Sequence, residues 1–390
     1  MSNIFEIDNT FVAPTYKRFP LNIVKGKGSL VYDETGKEYI DMGSGIGVTA
    51  FGIADDEWIK AVSQQLGTLQ HMSNLYYTDP CALLAQALCE KTGFKKVFFS
   101  NSGAEANECA IKAARKYAQS KKGEDYYTVI TLKNSFHGRT LTTLAATGQD
   151  VFHSQFTPLT EGFVHVPAND IAALEKAVKV NKTAAVMLEC IQGEGGVLPL
   201  NADYIKAARD ICNENDCLLI IDEVQTGNGR TGELYAYMNF GIMPDVVSTA
   251  KGLGGGLPIG ATLLGEKVKD VFTYSDHGST FGGNPVCAAG ALNIINRLTP
   301  EFLNSVKAKS DFIFSELNGA KGIENVSGLG LMVGIKTTRP VTDVIKECME
   351  NGVLPLTAKD KLRLLPALNI EQKCLEKAVA VIKAVCAKEN

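Results

Sequence analysis

Asp245-Val246-Val247-Ser248-Thr249-Ala250-Lys251-Gly252-Leu253-Gly254-Gly255-Gly256 is an apolar segment that reaches a lysine and turns at once into a glycine run. Upstream, Cys217-Leu218-Leu219-Ile220-Ile221 ends in Asp222-Glu223-Val224-Gln225. Each reads as a buried strand delivering a polar group at its carboxyl end, where open α/β sheets keep their ligand groups. A lysine in a dry site loses its proton more readily, because burial disfavours the ammonium. A carboxylate against a pyridine nitrogen keeps that nitrogen protonated, so that the ring takes up electrons when a substrate bond breaks. Lys251 and Asp222 thus point to pyridoxal phosphate, with Lys251 as the Schiff-base residue. Alone, a lysine before a glycine turn is most often a solvated loop residue, and an aspartate at a strand end is as often an ordinary turn former. The case depends on the rest of the chain.

Outward from this pair, helical stretches alternate with short apolar runs between about residues 60 and 295. The expected strands are Val97-Phe98-Phe99, Tyr127 to Leu132, Ala184 to Leu188, Cys217 to Ile221, Val246 to Ser248 and Ala261 to Leu264. This alternation predicts an α/β fold with a mainly parallel sheet covered by helices on both faces. The last hundred residues read as a smaller α+β unit. Its helices are expected near Glu301 to Leu317, Val341 to Asn351 and Ile370 to Ala387, and its strands around Gly330 to Lys336 and Leu362 to Leu364. Near the start, Leu30 to Asp33 and Glu38 to Asp41 flank the turn Thr35-Gly36-Lys37, a hairpin that could join either unit.

The 390 residues carry a net charge of −4, and lysines and arginines are scattered, so no basic field exists for a nucleic acid. No apolar stretch approaches the roughly 18 to 20 residues of a membrane span, and the N-terminus has no basic region before an apolar run; a cytoplasmic protein is expected. The ten cysteines include no Cys-x-x-Cys pair, and Cys109, Cys190 and Cys287 lie in apolar patterns that suit reduced core residues. Five dispersed histidines give no metal spacing. Neither glycine run fits G-x-G-x-x-G, and G-x-x-x-x-G-K-[ST] is absent, which disfavours nicotinamide and ATP enzymes.

Three further segments carry chemistry. Ser100-Asn101-Ser102-Gly103-Ala104-Glu105-Ala106-Asn107 follows a strand and opens a long helix. Small residues there allow an anion to approach unpaired N–H groups at the positive end of the helix, although a plain N-cap explains the same residues. Ser279-Thr280-Phe281-Gly282-Gly283-Asn284-Pro285 is a second hydroxyl-bearing loop before a helix. Phe136-His137-Gly138-Arg139 leaves a strand with an aromatic face, a proton carrier and a guanidinium suited to a carboxylate.

Together with Gln192 to Gly196 and Asp222 to Gly227, these segments occur in the order seen in class III aminotransferases, which the chain resembles over nearly its whole length. The resemblance implies a fold type I, pyridoxal-phosphate-dependent homodimer with shared active sites and a seven-stranded sheet. Residues 61–295 would form the large cofactor-binding domain, with 1–60 and 296–390 contributing the small one. By motif, Lys251 forms the Schiff base, Asp222 pairs with the pyridine nitrogen, Gln225 contacts the ring hydroxyl and Phe136 stacks on the ring. Ser102, Gly103 and Ala104 hold the phosphate, and Thr280 reaches it from the partner subunit.

Within the class the chain is most similar to acetylornithine aminotransferases, on Thr15 to Leu21, Ser73 to Tyr77 and Arg363-Leu364-Leu365-Pro366. That similarity implies transfer of the δ-amino group of N2-acetyl-L-ornithine to 2-oxoglutarate by a ping-pong route in arginine biosynthesis. Arg139 and Ser279 would then bind substrate, and Glu194 would pair with Arg363 until the oxo acid arrives. Ile46 stands where ornithine δ-aminotransferases carry a tyrosine, and an apolar residue suits an acylated amine better. Gly52-Ile53-Ala54-Asp55-Asp56 departs from the family's Gly-His-x-His-Pro. Open alternatives are succinylornithine, N-succinyl-diaminopimelate, 4-aminobutyrate or ornithine as donor, a class III aminomutase or decarboxylase, and an inactive protein of the same fold.

Overall fold

The computed structural model describes residues 3–389. Its central sheet has seven strands, in spatial order Lys96–Ser100, Gly260–Leu264, Val246–Thr249, Leu218–Asp222, Thr183–Leu188, Thr128–Leu132 and Phe163–Val166. The last five run parallel, whereas Gly260–Leu264 is antiparallel to both of its neighbours. Every residue of Thr183–Leu188, Leu218–Asp222, Val246–Thr249 and Gly260–Leu264 is buried, which explains why these strands read as mainly apolar runs without alternation. The expected sheet is therefore present, its strand ends lying within one residue of expectation. Phe163–Val166 is an addition: a four-residue edge strand that carries His165 and has no apolar run to announce it.

A second sheet of four strands resolves where the N-terminal hairpin belongs. Glu38–Asp41 pairs with Leu30–Asp33 on one side and in parallel with Val353–Leu354 on the other, so the hairpin joins the C-terminal segment. A third sheet aligns Ile323–Leu329, Met332–Thr337, Lys361–Leu364 and Leu356–Ala358; helices Val341–Glu350 and Pro300–Leu317 pack against it, and Gln372–Cys386 packs on those two helices. Ile323–Leu329 was not expected, because Asn325, Ser327 and Gly328 interrupt its apolar pattern. Cys109 and Cys190 are buried as expected, but Cys287 is only half-buried.

The atypical segment Gly52 to Asp56 has a packing role. Gly28 and Ile53 exchange backbone hydrogen bonds of 2.7 and 2.8 Å. Gly52 sits at φ 80°, and a Cβ there would lie 2.7 Å from the Gly28 carbonyl oxygen, so only glycine fits. Asp55 caps helix Asp56–Leu66 by accepting the Trp58 N–H at 3.0 Å. Its carboxylate also takes a two-pronged contact from Arg297, at 2.5 and 3.0 Å. Among the described residues no helix is long and apolar enough to cross a membrane.

Candidate active site

The carboxyl ends of the central strands open into a cavity of about 440 Å³. Lys251, Asp222, Gln225, Phe136, Arg139, Ser102, Gly103 and Ala104 all line it. Lys251 follows strand Val246–Thr249 and adopts φ 47°, a left-handed conformation costing a side-chain-bearing residue roughly 1 kcal/mol. The surrounding structure imposes it. Asn228 donates from Nδ2 to the Ala250 carbonyl at 3.1 Å and to Thr249 Oγ1 at 2.9 Å, and the Lys251 carbonyl accepts the Gly254 N–H at 3.0 Å. Burial pushes the Lys251 ammonium below its ordinary pKa; Arg363 adds to the effect, while Glu194, Asp222 and Glu189 oppose it.

Asp222 is 3% exposed and anchored from three directions. Its Oδ2 accepts Asn107 Nδ2 at 2.7 Å and faces His137 Nδ1 at 2.9 Å, and its Oδ1 accepts the Val224 N–H at 3.0 Å. Asn107 Nδ2 also donates to the His137 carbonyl at 2.7 Å, locking the helix to the loop. His137, read from the sequence as a proton carrier, instead sits buried against Asp222, and Asn107 has no role legible in the sequence, since nothing local signals a contact made 115 positions away.

Glu189 was missed as well. It is buried, its Oε1 accepts the Phe136 N–H at 2.9 Å, and its Oε2 accepts the Gly193 N–H at 3.1 Å. The side chain thereby ties the loop bearing Phe136 and Arg139 to the loop bearing Glu194. Burial raises its carboxyl to about 7, helped by Asp222 and opposed by His137.

Helix Gly103–Lys122 points its N-terminus into the cavity. Ser102 caps it, accepting the Glu105 N–H at 3.2 Å, while Glu105 turns back to the Asn101 N–H at 2.7 Å. The preceding N–H groups, of Gly103 and Ala104, have no intrahelical partner. A Cβ at Gly103 would lie 2.6 Å from Val224 Cγ1, so glycine here lets the helix end come up against the strand end. An anion cradle, an anchored carboxylate at the strand end, an aromatic ring and a desolvated lysine, all on one cavity, fit a phosphorylated pyridine aldehyde.

The two arginines are held differently. Arg363, on strand Lys361–Leu364 and 3% exposed, donates from Nη1 to Glu194 Oε1 at 2.5 Å and to Gln225 Oε1 at 3.1 Å. Gln225 Nε2 closes the triangle to Glu194 Oε1 at 3.2 Å. Arg363 draws the Glu194 carboxyl below its ordinary range against the opposing effect of burial. Arg139 is exposed to the cavity mouth, and no acidic partner for it appears among the described residues.

Ser279 and Thr280 lie outside the group that lines the cavity. Ser279 Oγ accepts Asn101 Nδ2 at 3.1 Å and the Gly282 N–H at 2.9 Å, placing it near the rim, while Thr280 is exposed. Ile46 is 40% exposed and also lies off the cavity, which Val48 of the same segment does reach.

The aminotransferase class-III family model matches residues 11–386. An acetylornithine aminotransferase of Haemophilus ducreyi is 49% identical, covering 98% of both chains. Among solved structures, the ornithine aminotransferase of Toxoplasma gondii superposes with a TM-score of 0.94 at 32% identity, covering 98% of this chain and 94% of that one. The N-acetylornithine aminotransferase of Stenotrophomonas maltophilia gives 0.83 at 34% identity, with 98% of both chains covered. The chain belongs to the class-III aminotransferases. It is a pyridoxal-phosphate-dependent enzyme with an α/β fold of type I, and the cavity beneath Lys251 has the groups that such an enzyme requires.

Proposed function

We propose that this enzyme moves the δ-amino group of N2-acetyl-L-ornithine to 2-oxoglutarate, giving N-acetylglutamate 5-semialdehyde and glutamate, in the cytoplasm as part of arginine biosynthesis. The observation that carries this reading is the contrast between a neutralised Arg363, 2.5 Å from Glu194, and an unpaired Arg139. A donor that presents its amine far from its carboxylate needs one available cation, not two. The 49% sequence identity to an acetylornithine aminotransferase supports the choice of amine, which the fold does not decide, since the ornithine aminotransferase superposes with the higher TM-score, 0.94 against 0.83.

In this scheme bound pyridoxal phosphate supplies an electron sink for the bond broken at the substrate carbon. Arg139 clamps the donor's α-carboxylate, leaving the δ-carbon near Lys251. Lys251 Nζ, whose pKa burial lowers, takes a proton from that carbon and returns it on the other side of the transferred nitrogen. Asp222, fixed by Asn107 and His137, would pair with the ring nitrogen of the bound cofactor. When 2-oxoglutarate enters, Glu194 releases Arg363 to the α-carboxylate, and Arg139 takes the distal one. Arg363 Nε, buried with no partner among the described residues, leaves a donor for that carboxylate.

The enzyme is also read as a homodimer. Leu75, Tyr77, Tyr274 and Phe281 expose 88%, 105%, 103% and 60% of their surfaces, side chains available for a subunit contact. Asn74 Nδ2 bonds the carbonyls of Ser279 and Gly282, joining two of these segments into one patch beside Thr280, which would reach the partner's phosphate.

Single-turnover absorbance with N-acetylornithine, ornithine, 4-aminobutyrate and N-succinyl-diaminopimelate tests the substrate. Rapid loss of the cofactor's visible band with acetylornithine, restored by 2-oxoglutarate, is expected. Faster loss with another amine would move the reaction to that donor.

A further inference from the structure

Phe152 lies in a short 3-10 turn, Asp150–Phe152, beyond the helix that follows Arg139. The Arg139 guanidinium carbon stands 4.1 Å from the Phe152 ring centroid and 5.6 Å from that of Phe136. The two rings meet edge to face, with centroids 5.7 Å apart at 77°. This turn is not loose. The Phe152 N–H donates to the Gln149 carbonyl at 3.0 Å, and Gln149 Nε2 donates to the Ser135 carbonyl at 3.1 Å. His153 Nε2 lies 3.0 and 2.7 Å from the carbonyls of Leu144 and Thr147, which requires a hydrogen on that nitrogen. Ser135, immediately before Phe136, therefore helps anchor the turn that carries Phe152.

We propose that Phe152 is a positioning residue for carboxylate substrates, an aromatic platform that holds Arg139 over the cavity mouth without using its N–H groups. An arginine steered by an acid spends its donors on that acid and must give them up before it binds a carboxylate. One held through its face over a ring keeps its edge donors free. The ring also replaces part of the water around the guanidinium, which strengthens its pull on an incoming carboxylate. The inference rests on Arg139 being the carboxylate clamp proposed above.

The test uses holoenzyme with Phe152→Leu, Phe152→Tyr, Arg139→Ala and the double variant Phe152→Leu/Arg139→Ala. KM and kcat are measured for N-acetylornithine and for 2-oxoglutarate, and thermal melting confirms that each variant is folded. Phe152→Leu is expected to raise KM for both substrates roughly three- to tenfold with a much smaller change in kcat. Phe152→Tyr, which retains the ring, should restore it. In the Arg139→Ala background the Phe152→Leu effect should vanish. An unchanged KM in Phe152→Leu, while Arg139→Ala raises it, overturns the platform and leaves the clamp intact. Persistence of the effect without Arg139 also overturns it, assigning Phe152 a direct contact. If Arg139→Ala itself leaves both KM values unchanged, the clamp falls and the platform with it.

Discussion

Arg139 lines the cavity, whereas Arg363 lies behind it and meets it through Gln225, and in the proposed scheme these surroundings divide the work of binding two substrates. Arg363 is buried and its charge is answered by Glu194, with Gln225 bridging both. Arg139 is exposed and lies over Phe152 and Phe136. An acid can swing away and uncover a cation, so Arg363 is conditional. A ring cannot neutralise a cation, so Arg139 is always available. Under the proposed function, one pocket would thereby accept a substrate with one carboxylate near its reach and another with two, by changing a single ion pair.

Variants can break this division, beginning with the largest expected loss. Lys251→Ala removes the proton carrier but touches neither arginine. Turnover should fall roughly 10³-fold or more, while carboxylate ligands still perturb the spectrum of bound cofactor. Near-normal turnover would mean that another base serves. Arg363→Ala comes next. Loss of the guanidinium should raise KM for 2-oxoglutarate about 100-fold or more, with a much smaller change in the acetylornithine half-reaction. It should also lower stability by about 2–3 kcal/mol in denaturant titration, less than a fully buried orphan would because Glu194 keeps 28% of its side chain exposed. Equal loss in both half-reactions would show that both substrates use Arg363.

Thr280→Ala should weaken cofactor retention about tenfold or less on dilution or dialysis, since one phosphate contact among several is removed. No change would place Thr280 away from the partner's phosphate. The smallest expected effect concerns pH. Glu194 has its pKa lowered in the folded protein, so the stability of its ion pair is fully present above the ordinary carboxylate pKa and is lost only as pH falls through the lowered value. Lys251 and Glu189 titrate in both half-reactions and cancel from their ratio. The ratio of acetylornithine to glutamate reactivity should then stay flat from about pH 5 to 9. A step in that window would assign the preference to another titrating group.

Sequence and structure part company where function depends on contacts distant in the chain. Strands Leu218–Asp222 and Val246–Thr249 are buried on both faces, so they lack the alternation of an exposed strand, and their mainly apolar runs located Asp222 and Lys251. Gly103 was legible as a cradle, and Val224 pressing against it gives the reason. Phe163–Val166 and Ile323–Leu329 were not legible, being edge or half-exposed strands whose polar residues hide the period. Glu189, Asn107 and Phe152 escaped for a different reason. Their roles consist of contacts to Phe136, Asp222 and Arg139, which no local pattern encodes. The motif resemblance supplied Glu194 and Arg363, but their 2.5 Å contact belongs to the folded chain.

The central claim is that Glu194 decides when Arg363 counts, and the most direct measurement is stopped-flow comparison of half-reactions in Glu194→Gln and wild-type enzyme. A glutamine keeps the shape and loses the charge, so Arg363 should stay open to α-carboxylates. The account predicts that the acetylornithine-to-glutamate rate ratio falls about tenfold or more in the variant, with glutamate gaining and acetylornithine losing. An unchanged ratio would contradict the switch and leave the Glu194–Arg363 pair as a structural contact only.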